Sequence, residues 1–538
     1  MKKYFSDLKT EFAGYNFGKF SKDLMAGITV AAVALPLALA FGVSSGATAA
    51  AGLLTAIISG FVISLFGGAF YQISGPTGAM AAILMSIIAQ YGLSGVFTAT
   101  IMAGILLVLA GIFRLGRVTA YIPMPVISGF TSGISVIIAL GQLDNFFGVT
   151  SKGSTAIEKF ASYFTNGFSP NMISVAIGAA VIIFMLVYPK KWNAVVPSSL
   201  VSIILATAVC AIFSLNVGTV GKIPSSLLLD QRFTFENFRI ADMKGLINPA
   251  ISIAALGMVE SLLCGASAGR MTGVRLDNDR ELVAQGIGNI LAPLFGGIPA
   301  TAAIARTSVA IKSGAQTRLA GMFHAVVLLI SMLALGPIMA KIPLAALAGV
   351  LLVTALRMNE WSTIKYIFSH KFKGAMLKFI VTMLATILFD LTVAIVIGVV
   401  VSLVLLAVRQ AKLEIHYDEV NPKRLKNSDV HITPIFEHAE VVYITGSVIF
   451  ANTQMIEDIG NNVADKKAVL FSMRGTSYMD ISGAQAFLEL LQKLKENNVT
   501  IGICGVSESV KEMMQRSDIV DFIGEDSFYW SVERALDK

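Results

Sequence analysis

The chain has 538 residues, 55% of them hydrophobic and only 14% charged, with a mean hydropathy of +0.74. That balance excludes a soluble globular protein of this size and implies a polytopic membrane protein with something attached. The net charge of +7 reads as the Lys and Arg of cytoplasmic loops, with no case for nucleic-acid binding, and Cys210, Cys264 and Cys504 lack the paired spacing of a disulfide framework or a zinc site.

Residues 1–20 carry several Lys, a few aromatics, Asp7 and Glu11, a pattern predicting an interfacial helix on the cytoplasmic face. Met1 to Asp23 is polar and charged, so no cleavable signal peptide is expected there. From Leu24 to Phe113 there is no Asp, Glu, Lys or Arg, and Gly-rich breaks divide that run. Helices are predicted near 24–43, 48–66, 76–90, 94–113, 119–142, 172–188, 195–214, 248–268, 281–295, 302–313, 319–339, 343–357, 375–390 and 392–408. These are fourteen segments, some too short to cross a hydrocarbon layer of roughly 30 Å alone. With the N-terminus inside, the inner loops hold Arg114 and Arg117, Lys190 and Lys191, Arg270 to Arg280, Lys312 and Arg318, Arg357 to Lys373, and Arg409 and Lys412. The bias of basic residues supports an even count with both termini cytoplasmic.

Segments three and ten are short and begin at Gly/Pro-rich breaks, Gln72-Ile73-Ser74-Gly75-Pro76-Thr77-Gly78 and Gly297-Ile298-Pro299-Ala300-Thr301. They occupy equivalent places in two halves of seven segments, and an odd offset inverts the second half. Interrupted segments so placed point to a binding site at the repeat interface, near the membrane midplane. A helix that starts there leaves its first N–H groups unpaired and presents the positive end of its dipole, which attracts an anion. Glu260 lies in the apolar run from about Asn248 to Ala268, where a carboxylate is costly and marks a functional site by default. The structural alternative for Glu260 is a carboxylate held by backbone N–H groups or by Arg306. His324, in an apolar helix, reads as a satisfied core residue, and Asp390 as a solvated span end.

After Lys412 the composition becomes that of a soluble α/β domain. Strands are predicted at 441–449, 468–473 and 500–504, and helices at 453–463, 481–496 and 507–517. The expected organisation is an N-terminal cytoplasmic segment 1–20, a transport domain 21–412 and a cytoplasmic domain 413–538, with 414–428 as linker and first strand.

Three groups of residues carry a resemblance over nearly the whole length. They are Asp23-Leu24-Met25-Ala26-Gly27 leading to Ala34-Leu35-Pro36-Leu37-Ala38-Leu39-Ala40-Phe41, Ser74-Gly75-Pro76-Thr77-Gly78 with the Glu260–Arg318 block, and Met479-Asp480-Ile481-Ser482-Gly483. In their order and spacing the chain resembles the sulfate permease (SulP) family, bacterial relatives of the solute-carrier-26 anion transporters, with a C-terminal STAS domain. The resemblance implies a seven-plus-seven inverted repeat forming core and gate domains, a homodimer in a bacterial-type inner membrane, and secondary transport of a small anion. It places the substrate between the starts of helices three and ten, at Phe41, Thr77, Gly78, Ala79, Ala303, Ile304 and Ala305, with Arg306 at the edge and Glu260 beside it. Leu37 stands where many members have Gln, removing one polar contact. Sodium-dependent bicarbonate members have Asp and Thr where this chain has Glu260 and Cys264, and a thiol is a poor ligand for a hard cation. The expectation is therefore proton coupling through Glu260, in a transporter of sulfate or bicarbonate class. A sodium-coupled bicarbonate or dicarboxylate (fumarate or succinate) symporter, or an uncoupled channel or exchanger, is the alternative. Ser482 occupies the position phosphorylated in stand-alone STAS regulators, and its plainer reading is a helix N-cap. With no nucleotide loop, nucleophile–base pair or metal cluster, neither enzymatic activity nor any cofactor is expected.

Overall fold

The computed structural model describes residues 2–117, 122–153, 156–166, 168–193, 196–237, 243–274, 276–389, 391–420 and 433–537. They divide into two compact units, 1–400 and 401–538. Asp390 lies outside the described residues, as do most of the linker and the start of the 119–142 segment.

The first unit is helical. It opens with α1 (Lys2–Glu11), α2 (Phe17–Ser44), α3 (Ala49–Phe66), a two-residue strand β1 (Ser74–Gly75) and α4 (Gly78–Ile112). There follow α5 (Met124–Gly141), α6 (Leu143–Phe147), α7 (Ala156–Asn166), α8 (Met172–Val187), α9 (Lys190–Asn193) and α10 (Ser198–Ile212). The inverted half contributes α11 (Met243–Thr272), α12 (Asn278–Leu291), a second short strand β2 (Thr301–Ala302), α13 (Ile304–Lys312) and α14 (Leu319–Met339). The series closes with α15 (Leu344–Met358), α16 (Trp361–Ser369), α17 (Lys373–Leu388) and α18 (Leu391–Gln410). Gly92, with φ of 68°, breaks α4 into two helices, as only a residue free to adopt that backbone can. Each of the fourteen predicted segments has its helix. Among the described residues, seven helices are long and apolar enough to cross a membrane, and α15 with α16, bent by 42°, makes an eighth if the pair is one span. The shorter ones, such as the 9-residue α13, are partners within the bundle.

Two groups of helices pack among themselves. In the core, α2 and α3 pack on each other and on α14, and α4 packs on α11 and α12; in the gate, α5 packs on α17 and α15 on α8. The core contacts are backbone-close: a side chain at Gly104 would stand 2.7 Å from the Gly286 carbonyl, and one at Gly286 2.5 Å from that of Gly104. Small residues let membrane helices approach this far where no hydrophobic force from water drives them together.

The predicted interfacial helix is anchored by protein groups. Glu11 and Arg318 form an ion pair of 2.7 Å with both side chains 2% exposed, Arg280 pairs with Asp7 at 2.6 Å, and the Tyr4 hydroxyl donates to the Leu65 carbonyl. Sequence pattern shows an amphipathic stripe but not whether lipid or protein covers it.

The second unit carries a five-stranded sheet in the order β3 (Glu414–Glu419), β4 (Glu440–Val448), β5 (Ala468–Met479), β6 (Thr500–Cys504) and β7 (Phe528–Tyr529). The β3–β4 pair is antiparallel and the rest are parallel. Helices α19 (Thr453–Asn462), α20 (Ile481–Glu496), α21 (Glu508–Arg516), α22 (Ile519–Ile523) and α23 (Val532–Leu536) connect and cover it. Phe471 and Phe487, both fully buried, meet edge to face at 5.2 Å in its core. Burial pushes the Cys504 thiol up to about 12, making it a packing residue and not a reactive one.

Candidate functional site

The two chain breaks of the membrane unit meet. β1 and β2 pair antiparallel, Ser74 opposite Ala302 and Gly75 opposite Thr301, with an additional bond from the Ala303 N–H to the Ile73 carbonyl at 2.9 Å. Pro76 and Pro299 keep both stretches extended, so each helix starts where the ribbon ends. Thr77 (φ −127°, ψ 162°) precedes α4 and Ala303 (φ −114°, ψ 113°) precedes α13. The antiparallel ribbon sends the two helices away from each other with their N-termini adjacent, as an inverted repeat requires.

The two starts are finished differently. The Thr77 hydroxyl accepts from the Met80 N–H at 3.4 Å and donates to Glu260 Oε2 at 2.9 Å. Gly78 and Ala79 are buried, and the Phe41 ring lies where a side chain on Gly78 would come within 3.1 Å of it. At α13, by contrast, no side chain caps the first turn, Ile304 is 46% exposed and Ala305 is exposed with it. Thus Phe41, Thr77, Gly78 and Glu260 come together at one start, and Ala303, Ile304 and Ala305 line the other.

Arg306 is not at an exposed edge. It is 1% exposed, and its Nη2 donates to the Pro76 carbonyl at 2.9 Å. Its Nη1 stands where a side chain on Gly75 would come within 2.7 Å, so a larger residue there would have to push the guanidinium aside. Arg306 thus lies buried behind the ribbon and holds the residue before the α4 cap by its carbonyl. Glu260 accepts the hydrogen bond of the Thr77 hydroxyl, and the buried Arg306 charge also acts on it.

A polar network that sequence inspection missed fixes the ribbon. Ser261 Oγ lies 3.0 Å from Thr301 Oγ1 and accepts from the Ala302 N–H at 3.3 Å; Thr307 Oγ1 accepts from the Ile73 N–H at 3.0 Å and from Cys264 Sγ at 3.2 Å. Gln72 donates to the Ser261 carbonyl at 2.6 Å. From α12, Gln285 donates to Ser74 at 2.8 Å, and Asn289 donates to the Ala300 carbonyl and accepts from its N–H. Glu281, 2% exposed, accepts from the Gly68 and Ala69 N–H groups at 3.1 Å. The readable signal was Glu281, Gln285 and Asn289 at i, i+4 and i+8, one polar face on a buried helix.

Two plainer readings need correction. His324 is fully buried, yet neither ring nitrogen has a partner at hydrogen-bonding geometry among the described residues. Ser482 is not the N-cap of α20: Asp480 is, accepting from the Gly483 N–H at 2.8 Å and the Phe450 N–H at 2.9 Å. A carboxylate two residues earlier serves more exposed donors than the hydroxyl reaches.

Comparison with known proteins places this arrangement. The model of the sulfate permease family matches residues 20–382, and that of the STAS domain residues 432–535. The chain is 36% identical to "Putative sulfate transporter YvdB" of Bacillus subtilis (strain 168), covering 96% of this chain and 97% of that one. It is 30% identical to the bicarbonate transporter BicA of Picosynechococcus sp. (strain ATCC 27264 / PCC 7002 / PR-6), over 97% of this chain and 95% of that one. Among solved structures, the transmembrane domain of a cyanobacterium bicarbonate transporter BicA covers 71% of this chain and aligns over 98% of its own length, at 32% identity and a TM-score of 0.66. The overall structure of SLC26A9 covers 97% of this chain and 90% of its own, at 18% identity and a TM-score of 0.81, a likeness of fold. This chain is a multi-pass membrane protein, not an enzyme, and belongs to the sulfate permease family of anion transporters.

Proposed function

We propose that the protein is a proton-coupled secondary transporter of a small oxyanion of the sulfate or bicarbonate class. The anion binds between the starts of α4 and α13, against Phe41, Thr77, Gly78, Ala79, Ala303, Ile304 and Ala305. The observation that carries this reading is the uncapped, exposed start of α13 set antiparallel against the Glu260-bound start of α4. Each helix start supplies about half a positive charge and free N–H donors, enough for any compact oxyanion. The relatives named for sulfate and bicarbonate support that class.

Glu260 takes up the coupling proton. Its partner, the Thr77 hydroxyl, donates to a carboxylate but can accept from a protonated acid. Neutral Glu260 repels an entering anion less, so proton and anion favour each other's binding by the same factor. Arg306, behind the ribbon, adds positive field. The working state is a homodimer in a bacterial-type inner membrane with both termini cytoplasmic.

The test is uptake of radiolabelled sulfate and bicarbonate into proteoliposomes, with pH and Na⁺ gradients imposed separately. A pH gradient, acidic on the side of uptake, should drive accumulation in the wild type. Glu260→Gln should abolish that drive while anion counterflow continues. Drive unchanged in Glu260→Gln removes the assignment, and accumulation that follows only Na⁺ replaces it with sodium coupling.

A further inference from the structure

The first half of α4 runs from Gly78 to Tyr91, and along it a crevice of about 450 Å³ separates core from gate. Core residues Ala82, Ser86, Asn248 and Ser252 line one side, gate residues Ile137 and Phe389 the other. Its described lining holds no Asp, Glu, Lys or Arg, and the Ser and Asn groups offer polar contacts without repelling an anion. The crevice stops one helical turn short of Ala79, itself fully buried. The stopper is the residue after Ile137: Ile138, 5% exposed, sets its Cδ1 against Gly78 in the space a side chain there would occupy, with the Phe41 ring closing the third side. The α13 start has no such cover, since Ile304 is 46% exposed.

We infer that Ile138 is the outer plug of the transport path: seated on Gly78 and Phe41, it separates the crevice at the Tyr91 end from the anion site, and it must leave Gly78 for that end to open. This deepens the proposed function and rests on its placing of the anion at the α4 and α13 starts. Three features fit together in it. Gly78 lacks a side chain, so the gate residue seats directly on the helix start. Ile138 reaches the α4 start through a side-chain tip, a contact that can separate without breaking a backbone-close interface. The seal is apolar on all three sides, so a hydrated anion gains nothing by entering it.

The experiment adds one cysteine, at Ser86 in the crevice wall or at Ala79 behind the plug, to full-length protein in proteoliposomes, with the unsubstituted protein and its three buried native cysteines as the labelling background. A membrane-impermeant thiol reagent is applied from each side in turn. Reagent on the Tyr91 side should label Ser86→Cys readily and Ala79→Cys slowly. Adding Ile138→Ala should raise the Ala79→Cys rate by about tenfold or more, with Ser86→Cys unchanged, since that factor needs only a shift of about 1.4 kcal/mol towards the open plug. Ile138→Val, which removes one methylene, should give a smaller rise in the same direction if the larger truncation does not fold. An Ala79→Cys rate unmoved by either variant overturns the inference, as does Ser86→Cys labelling from the opposite side only. Equilibrium binding of labelled sulfate and bicarbonate to the Ser86→Cys protein, in which the anion site is intact, separates the two claims. A plug that responds in a protein binding neither anion leaves the gate standing and fails the substrate reading.

Discussion

The two helix starts that meet in the membrane unit are related by the same inverted repeat but are finished differently. At α4 the first turn is capped by Thr77, tied to Glu260, covered by Phe41 and buried. At α13 the first turn has no side-chain cap, and its leading residue Ile304 is 46% exposed. On the proposed function, the first repeat carries the carboxylate that takes up the proton, and the second leaves its first-turn peptide donors to the anion. Equivalent positions in an inverted repeat thus share a backbone path without sharing a cap, the difference being one side chain, Thr77 against Ala303.

That contrast can be attacked from either side. The largest effect is expected from Arg306→Ala, which removes both the buried charge and the bond to the Pro76 carbonyl that holds the α4 start. Charged hydrogen bonds contribute about 1.5–3 kcal/mol, so oxyanion affinity should fall by roughly 10- to 100-fold in equilibrium binding. Unchanged affinity would leave Arg306 a packing residue. Thr77→Ala removes the cap and the partner of Glu260 together. A cap is worth about 1 kcal/mol, so a loss of around fivefold in affinity is expected, recovered by Thr77→Ser. Ala303→Ser installs at α13 the cap that α4 has. It should stabilise the helix slightly, raising thermal stability while weakening anion binding about two- to fivefold, because hydroxyl and substrate compete for the same N–H groups. Tighter binding in that variant would break the comparison.

The fourteen helices were legible because Gly, Pro and charge punctuate an otherwise apolar chain, and the breaks at Gly75-Pro76 and Ile298-Pro299 stand out against it. The STAS strands and helices were legible for the complementary reason, a periodic alternation of apolar and polar residues. What lay beyond sequence reading was partnership. Nothing local to Arg306 says that it turns behind the ribbon onto Pro76, since the contact spans 230 residues. Nothing in the first twenty residues says that Glu11 is buried against Arg318 and not facing lipid head groups. The capping of α20 by Asp480 in place of Ser482 was within reach, because two candidate caps stood two residues apart and the carboxylate is at least as good an acceptor.

The central claim is that peptide N–H groups at the α13 start bind the anion. It is tested most directly by measuring oxyanion affinity in Ile304→Pro. Proline removes one backbone donor at the first helical position, where its ring fits and its fixed φ is already helical. Ala303 before it has the extended backbone that a following proline requires, and the exposed Ile304 side chain gives up little packing. The account predicts a folded protein of wild-type thermal stability whose affinity for the anion is roughly tenfold weaker or worse. A folded Ile304→Pro variant that binds the anion as tightly as the wild type would contradict it.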